Sequence, residues 1–159
     1  VLPEHTFYVD NIFTHQPLSY VKTICYLDLN LYHYFIGRED QSVNEKVLMK
    51  RIDQQIRVTK MILDRVTTEQ ERNAPRKYLV RNLSIMMTIS CIHLLMINTP
   101  DAMEKRKDLW DTVKERDPKL YRKLRYRTLS GGTYLPLGRV GDKATMGGYK
   151  LAQSIYKFN

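Results

Sequence analysis

Cysteine is scarce: Cys25 and Cys91 are the only two in 159 residues, and they stand far apart. Neither belongs to a Cys-x-x-Cys pair, so no zinc site is suggested, and nothing calls for an oxidising compartment. Seven Gly and six Pro are too few for long disordered stretches. There is one tryptophan, Trp110, which sits beside Leu109 and near Val113 and reads as a packing anchor. No apolar run reaches the roughly 20 residues that a bilayer span needs. The most apolar stretch, residues 83–97, carries Ser84, Ser90 and His93, so it reads as a buried core helix whose histidine is hydrogen-bonded. No basic start precedes an apolar stretch, so no signal peptide is visible. The chain opens Val1-Leu2-Pro3-Glu4-His5 without an initiator Met, the start expected of the interior of a longer protein.

Acid is short relative to base. Seventeen Asp and Glu stand against 26 Lys and Arg, a net charge of +9. That points to an anionic partner: nucleic acid, an anionic membrane surface or a phosphorylated small molecule. The bland alternative is a solvated basic face.

What is present is ordinary for a globular domain with a core, at 43% hydrophobic and 27% charged residues. Residues 1–21 read as irregular, punctuated by Pro3 and Pro17. Residues 22–36 read as a β-hairpin: two β-branched and aromatic runs flank the turn formers Asp28, Leu29 and Asn30. After Gly37 a long helix is predicted, with Ser42 or Asn44 as N-cap. Its apolar face is Val43, Val47, Ile52, Ile56, Ile62 and Val66. Asn73-Ala74-Pro75 restarts the chain into a second helix, to about residue 97, which should be the most buried element. A third helix covers about 102–115, and a short basic one runs from Asp117-Pro118 to about 126. Residues 128–143 read as loop. The last helix, about 145–156, reads as amphipathic and basic. The expected architecture is mostly α: a bundle-like helical region with a small β-hairpin near the N-terminus.

Two stretches carry chemistry. In the first, a strand ends at Gly37 and the polar Arg38-Glu39-Asp40-Gln41-Ser42 leads into a helix. Gly permits a tight turn, the helix start presents free N–H groups, and the Arg38 fork suits a diphosphate. A plain capped turn is the alternative. The second, Lys119 to Arg127, interleaves basic and aromatic residues; Lys119, Arg122, Lys123 and Arg125 are its candidates for docking on a membrane or another anion.

The segment Asp28-Leu29-Asn30-Leu31-Tyr32-His33-Tyr34-Phe35-Ile36-Gly37-Arg38-Glu39-Asp40-Gln41-Ser42-Val43-Asn44 resembles the C-terminal part of bacterial family 2 glycosyltransferases. Members run a Tyr-x-Tyr strand into an Ile-Gly-Arg-x-x-Gln-Ser-Val loop near the transfer site. Upstream, His5 to Phe13 resembles the segment that carries the acceptor-activating acid. The family's acid pair is halved here, because Val9 precedes Asp10. The tail, with Gly147-Gly148-Tyr149, resembles the helical end of firmicute-type members.

The resemblance implies that residues 1–43 are the tail end of a catalytic domain and 44–159 a helical C-terminal region. It implies truncation from an α/β nucleotide-sugar transferase domain, and no activity for this piece alone. Asp10 is then the base, with an N-cap or Asx-turn as its plainer role. Arg38, Gln41, Ser42 and Tyr34 would contact donor or acceptor, although core packing is the favoured role for Tyr34. The family's Asp-x-Asp motif, absent here, holds a divalent metal, Mg or Mn, on the donor diphosphate, and no metal is expected in this piece. The implied partners are a nucleotide-sugar donor and a glycan or lipid-linked acceptor, in the cytoplasm or at the inner face of the plasma membrane. A basic helical module that docks on an anionic membrane, a protein or nucleic acid is the competing class. Nucleic acid ranks last, because no helix-turn-helix, zinc or sheet-platform signature accompanies the charge.

Overall fold

The computed structural model describes residues 2–15, 17, 20–33, 35, 44–68 and 76–156. Among them lie seven α-helices and a 3-10 turn. In chain order these are α1 (Val9–His15), α2 (Glu45–Lys50), α3 (Ile52–Thr67), α4 (Arg76–Ile97), α5 (Pro100–Arg116), α6 (Pro118–Arg127), the turn Leu129–Thr133, and α7 (Gly138–Tyr156).

Side-chain caps fix three of the helix starts. Asn44 caps α2, its Oδ1 accepting from the Lys46 N–H at 3.0 Å. Thr99 caps α5 by accepting from the Ala102 N–H at 3.2 Å, with Pro100 in the first turn. Asp117 caps α6, accepting from the N–H groups of Lys119 and Leu120 at 2.9 Å each. The long helix expected after Ser42 is two helices. Arg51, at φ −112° and ψ 22°, bends the chain between them. Its N–H still reaches the carbonyls of Val47 and Leu48, so the Arg51 donor stays satisfied through the elbow.

α4 is the central element and packs against α2, α3, α5, α7 and the 3-10 turn. Leu83, Met87, Cys91 and Leu94 are fully enclosed. Its length and composition would also suit a bilayer span, but 61% of that window is buried among the other helices. Trp110, 1% exposed, anchors α5 against α6 and the chain after the 3-10 turn. Its ring meets Tyr121 edge-on at 5.9 Å and stacks on Tyr134 at 5.5 Å.

Two expectations are corrected. The hairpin across 22–36 is not formed: no strand occurs among the described residues. The backbone bonds there are local, Leu29 N–H to Leu27 O and Leu31 N–H to Leu29 O. Ile24 and Tyr26 are 83% and 84% exposed, so no surface covers either face. A lone two-stranded hairpin has little stability without such cover. The other correction concerns 128–143, which is mostly helical, since α7 begins at Gly138 rather than near 145. The glycines there serve packing as well as turning. A Cβ on Gly141 would come within 2.8 Å of the Leu135 Cβ, so Gly141 lets α7 close on the preceding chain.

Candidate functional site

The segment around Asp10 is pinned to the α2–α3 elbow. The Phe7 N–H donates to Gln54 Oε1 at 2.8 Å, and the Arg51 guanidinium lies 3.6 Å over the Phe7 ring. Tyr8 adopts φ 68°, a left-handed conformation that costs a bulky residue on the order of 1–3 kcal/mol. Its carbonyl accepts from the Asn11 backbone N–H at 3.1 Å and from the Asn11 side chain at 3.2 Å. This strained turn starts α1 and places Asp10 in the first turn, exposed, where a carboxylate also suits the helix dipole.

Arg51 and Asp10 both act on Tyr8. Burial raises the Tyr8 phenol pKa, the Arg51 charge opposes that rise, and Asp10 adds to it. Arg51 Nη1 is buried and, among the described residues, has no hydrogen-bond partner. The elbow therefore holds an exposed carboxylate and a cation with spare donor capacity. Nothing in the local sequence singles out Arg51; its contact with Phe7 does.

Of the other expected site residues, Tyr34, Arg38, Gln41 and Ser42 lie outside the described residues. The basic set of α6 is split. Lys119 and Arg122 line a cleft with Arg76 and Arg116, which sequence reading did not connect to them. Lys123 is exposed on the same helix. Arg125 turns inward: its Nη1 donates to the Gly131 carbonyl at 2.8 Å, and its guanidinium lies 5.6 Å from the rings of Tyr126 and Tyr134. Arg125 is half-buried and braces the turn after α6.

An apolar groove of about 880 Å³ runs between α4 and α7, within the usual small-molecule range of roughly 300–1,000 Å³. Ile85, Ile89 and Ile92 form one wall, Gly148 and Ala152 the other, with Leu48 of α2 also lining it. Its polar corner holds His93 and Tyr149. The Tyr149 hydroxyl donates to Glu45 Oε1 at 2.6 Å, and Gln153 donates to the same oxygen at 3.2 Å. Burial, then the Glu45 carboxylate, pushes the Tyr149 phenol up to about 12. On α7, Val140, Leu151 and Ile155 continue the apolar face outward and are exposed. Arg139, Lys143 and Lys150 occupy the neighbouring stripe of the helix.

His93 is the buried core histidine expected from the sequence. Its Nδ1–H donates to the Ile89 carbonyl at 2.7 Å. Burial lowers its pKa, against the Ile89 carbonyl and the Glu45 charge, which raise it. The folded value thus lies below the unfolded one, near 6.5, and the unfolded chain binds more protons in between. This contribution is intact above pH 6.5 and is lost as pH falls through the folded value. His93→Gln should therefore lose less of its urea midpoint between pH 7.5 and pH 5 than the wild type does. Parallel losses would remove His93 as a source of acid sensitivity.

Comparison with known proteins adds no relative: no family model matches the chain. Neither the curated proteins nor the solved structures return a match.

Proposed function

We propose that this chain is the C-terminal part of a family 2 glycosyltransferase, which moves a sugar from a nucleotide-diphospho-sugar to a glycan or lipid-linked acceptor. Residues 1–43 end the catalytic domain and 44–159 form its helical extension. One observation carries the reading: the segment around Asp10 is held against the helix pair that follows the Gly37-Arg38 segment in the chain. Phe7, next to the Asp10 turn, is held by Arg51 and Gln54. Asn44, the last residue of the Gly37-Arg38 segment, caps the helix that ends at Arg51.

In this reading Asp10 takes the proton from the acceptor hydroxyl. Arg38 holds the leaving diphosphate, and Gln41, Ser42 and Tyr34 contact donor or acceptor. The divalent metal, Mg or Mn, belongs to the donor-binding domain. The protein works at the inner face of the plasma membrane. Supporting that placement, α7 presents an exposed apolar stripe beside a basic one, the pattern of a helix that lies in a membrane interface.

The two halves separate experimentally. In the full-length enzyme, Arg38→Ala should raise the donor KM roughly tenfold, the scale of one charge-assisted contact, and leave vesicle binding unchanged. Leu151→Glu with Ile155→Glu should weaken binding to anionic vesicles roughly tenfold per residue, because each removes an apolar anchor. Turnover of a soluble acceptor should persist. Unaltered donor kinetics in the first variant would reduce the Arg38 segment to a capped turn. Unaltered co-sedimentation in the second would leave α7 a solvated helix.

A further inference from the structure

A second cleft, of about 750 Å³, opens where α3 ends and α4 and α6 begin. Arg76, Arg116, Lys119 and Arg122 line it, with Thr67, Asp117 and Pro118. Its carboxylates are largely engaged elsewhere. Asp117 Oδ1 accepts the two N–H groups of the α6 cap, and its Oδ2 stands 3.6 Å from Arg76, beyond hydrogen-bond range. Arg116 pairs with Asp64 at the surface. Among the described residues, Lys119 and Arg122 have no ion-pair partner, and both are exposed. With Arg116 paired to Asp64, three further cations, Arg76, Lys119 and Arg122, share the cleft with one carboxylate, Asp117, which leaves about two positive charges uncompensated. The α6 start adds no free donor, because Asp117 takes its first N–H groups and Pro118 has none.

We propose that this cleft binds a phosphate-bearing anion, a phosphomonoester or diphosphate. Two guanidinium forks and an ammonium present more donors than a single carboxylate can accept, and they match the several oxygens and double charge of a phosphoryl group. The cleft exceeds a bare phosphate in size, so the group would belong to a larger molecule, either soluble or a lipid headgroup. The inference stands apart from the transferase reading, since it uses none of the residues that carry it.

The test is titration of the 159-residue chain with inorganic pyrophosphate, followed by amide NMR shifts at low and moderate salt. In parallel, co-sedimentation uses phosphatidylcholine vesicles with and without phosphatidic acid. Saturable pyrophosphate binding that shifts the α6 start supports a soluble ligand. Vesicle binding that needs phosphatidic acid and Arg122, without pyrophosphate binding, supports a headgroup. In either case Arg122→Gln and Lys119→Gln should each weaken binding roughly tenfold. Lys123→Gln, on the same helix but outside the cleft, should leave it unchanged. All three side chains are exposed, so an unaltered melting curve verifies the fold of each variant. No binding in either arm overturns the proposal, and so does a loss with Lys123→Gln equal to that with Arg122→Gln.

Discussion

Gly131→Ala should lower the stability of the bundle by about 2 kcal/mol. Gly131 sits in the 3-10 turn directly against the last turn of α6. A Cβ there would meet the Arg125 carbonyl well inside van der Waals contact, with its carbon at 2.7 Å and the Leu124 oxygen at 3.2 Å. These are backbone atoms, and they cannot swing aside as a side chain can. Moving them would also disturb the Arg125 bond to the Gly131 carbonyl and the buried Ser130 hydroxyl, which accepts its place beside Ser84 at 3.4 Å. Overpacking of this kind costs typically 1–3 kcal/mol and sometimes more. The lost flexibility of the unfolded chain returns only about 0.4–1 kcal/mol. For a chain of this size the melting temperature should fall by roughly 4–8 °C. Gly132→Ala is the control: a Cβ there meets nothing within 4 Å, so that variant should be neutral or slightly more stable. Equal melting temperatures for the two variants would show that the close approach at Gly131 does not constrain the fold.

The same turn shows why part of the fold was hidden from the sequence. Glycines between residues 131 and 141 sit in a stretch that reads locally as loop, yet α7 starts at Gly138 and runs through Gly141. The demand for Gly131 and Gly141 comes from the chain packed against each, at Arg125 and Leu135, and no local pattern reveals that. Features set by nearest neighbours were legible. Asn44 and Asp117 announce their helix starts because the cap and the N–H groups it accepts lie within a few residues. The enclosed character of α4 was legible too, because it is apolar nearly all round. The hairpin failed for the opposite reason. Strand preference mostly measures packing on a covered, pleated surface, and residues 20–33 have no such cover. Among the candidate site residues, Asp10 was picked out through the family resemblance and the Lys119–Arg122 pair through local pattern. Arg51, Arg76 and Arg116 did not, since their significance comes from Phe7 and from the cleft.

On the transferase reading proposed above, Asp10→Asn in the full-length protein should lower the transfer rate by roughly 10²-fold or more, the scale of losing a general base. Asp10 has two possible roles, and the substitution separates them. As a residue in the first turn of α1, its negative charge complements the helix dipole. At an exposed position that effect is worth only about 0.3–1 kcal/mol. Asn keeps the size and the hydrogen-bonding oxygen but cannot accept the acceptor's proton. The strained Tyr8 turn, the Phe7–Gln54 bond and the Arg51 contact do not involve the Asp10 carboxylate, so the local fold should survive. The expected signature is a steep fall in kcat with nearly unchanged donor KM and a melting temperature within a few degrees of wild type. A near-normal rate for Asp10→Asn would confine Asp10 to the helix dipole and remove the main chemical support for the transferase reading.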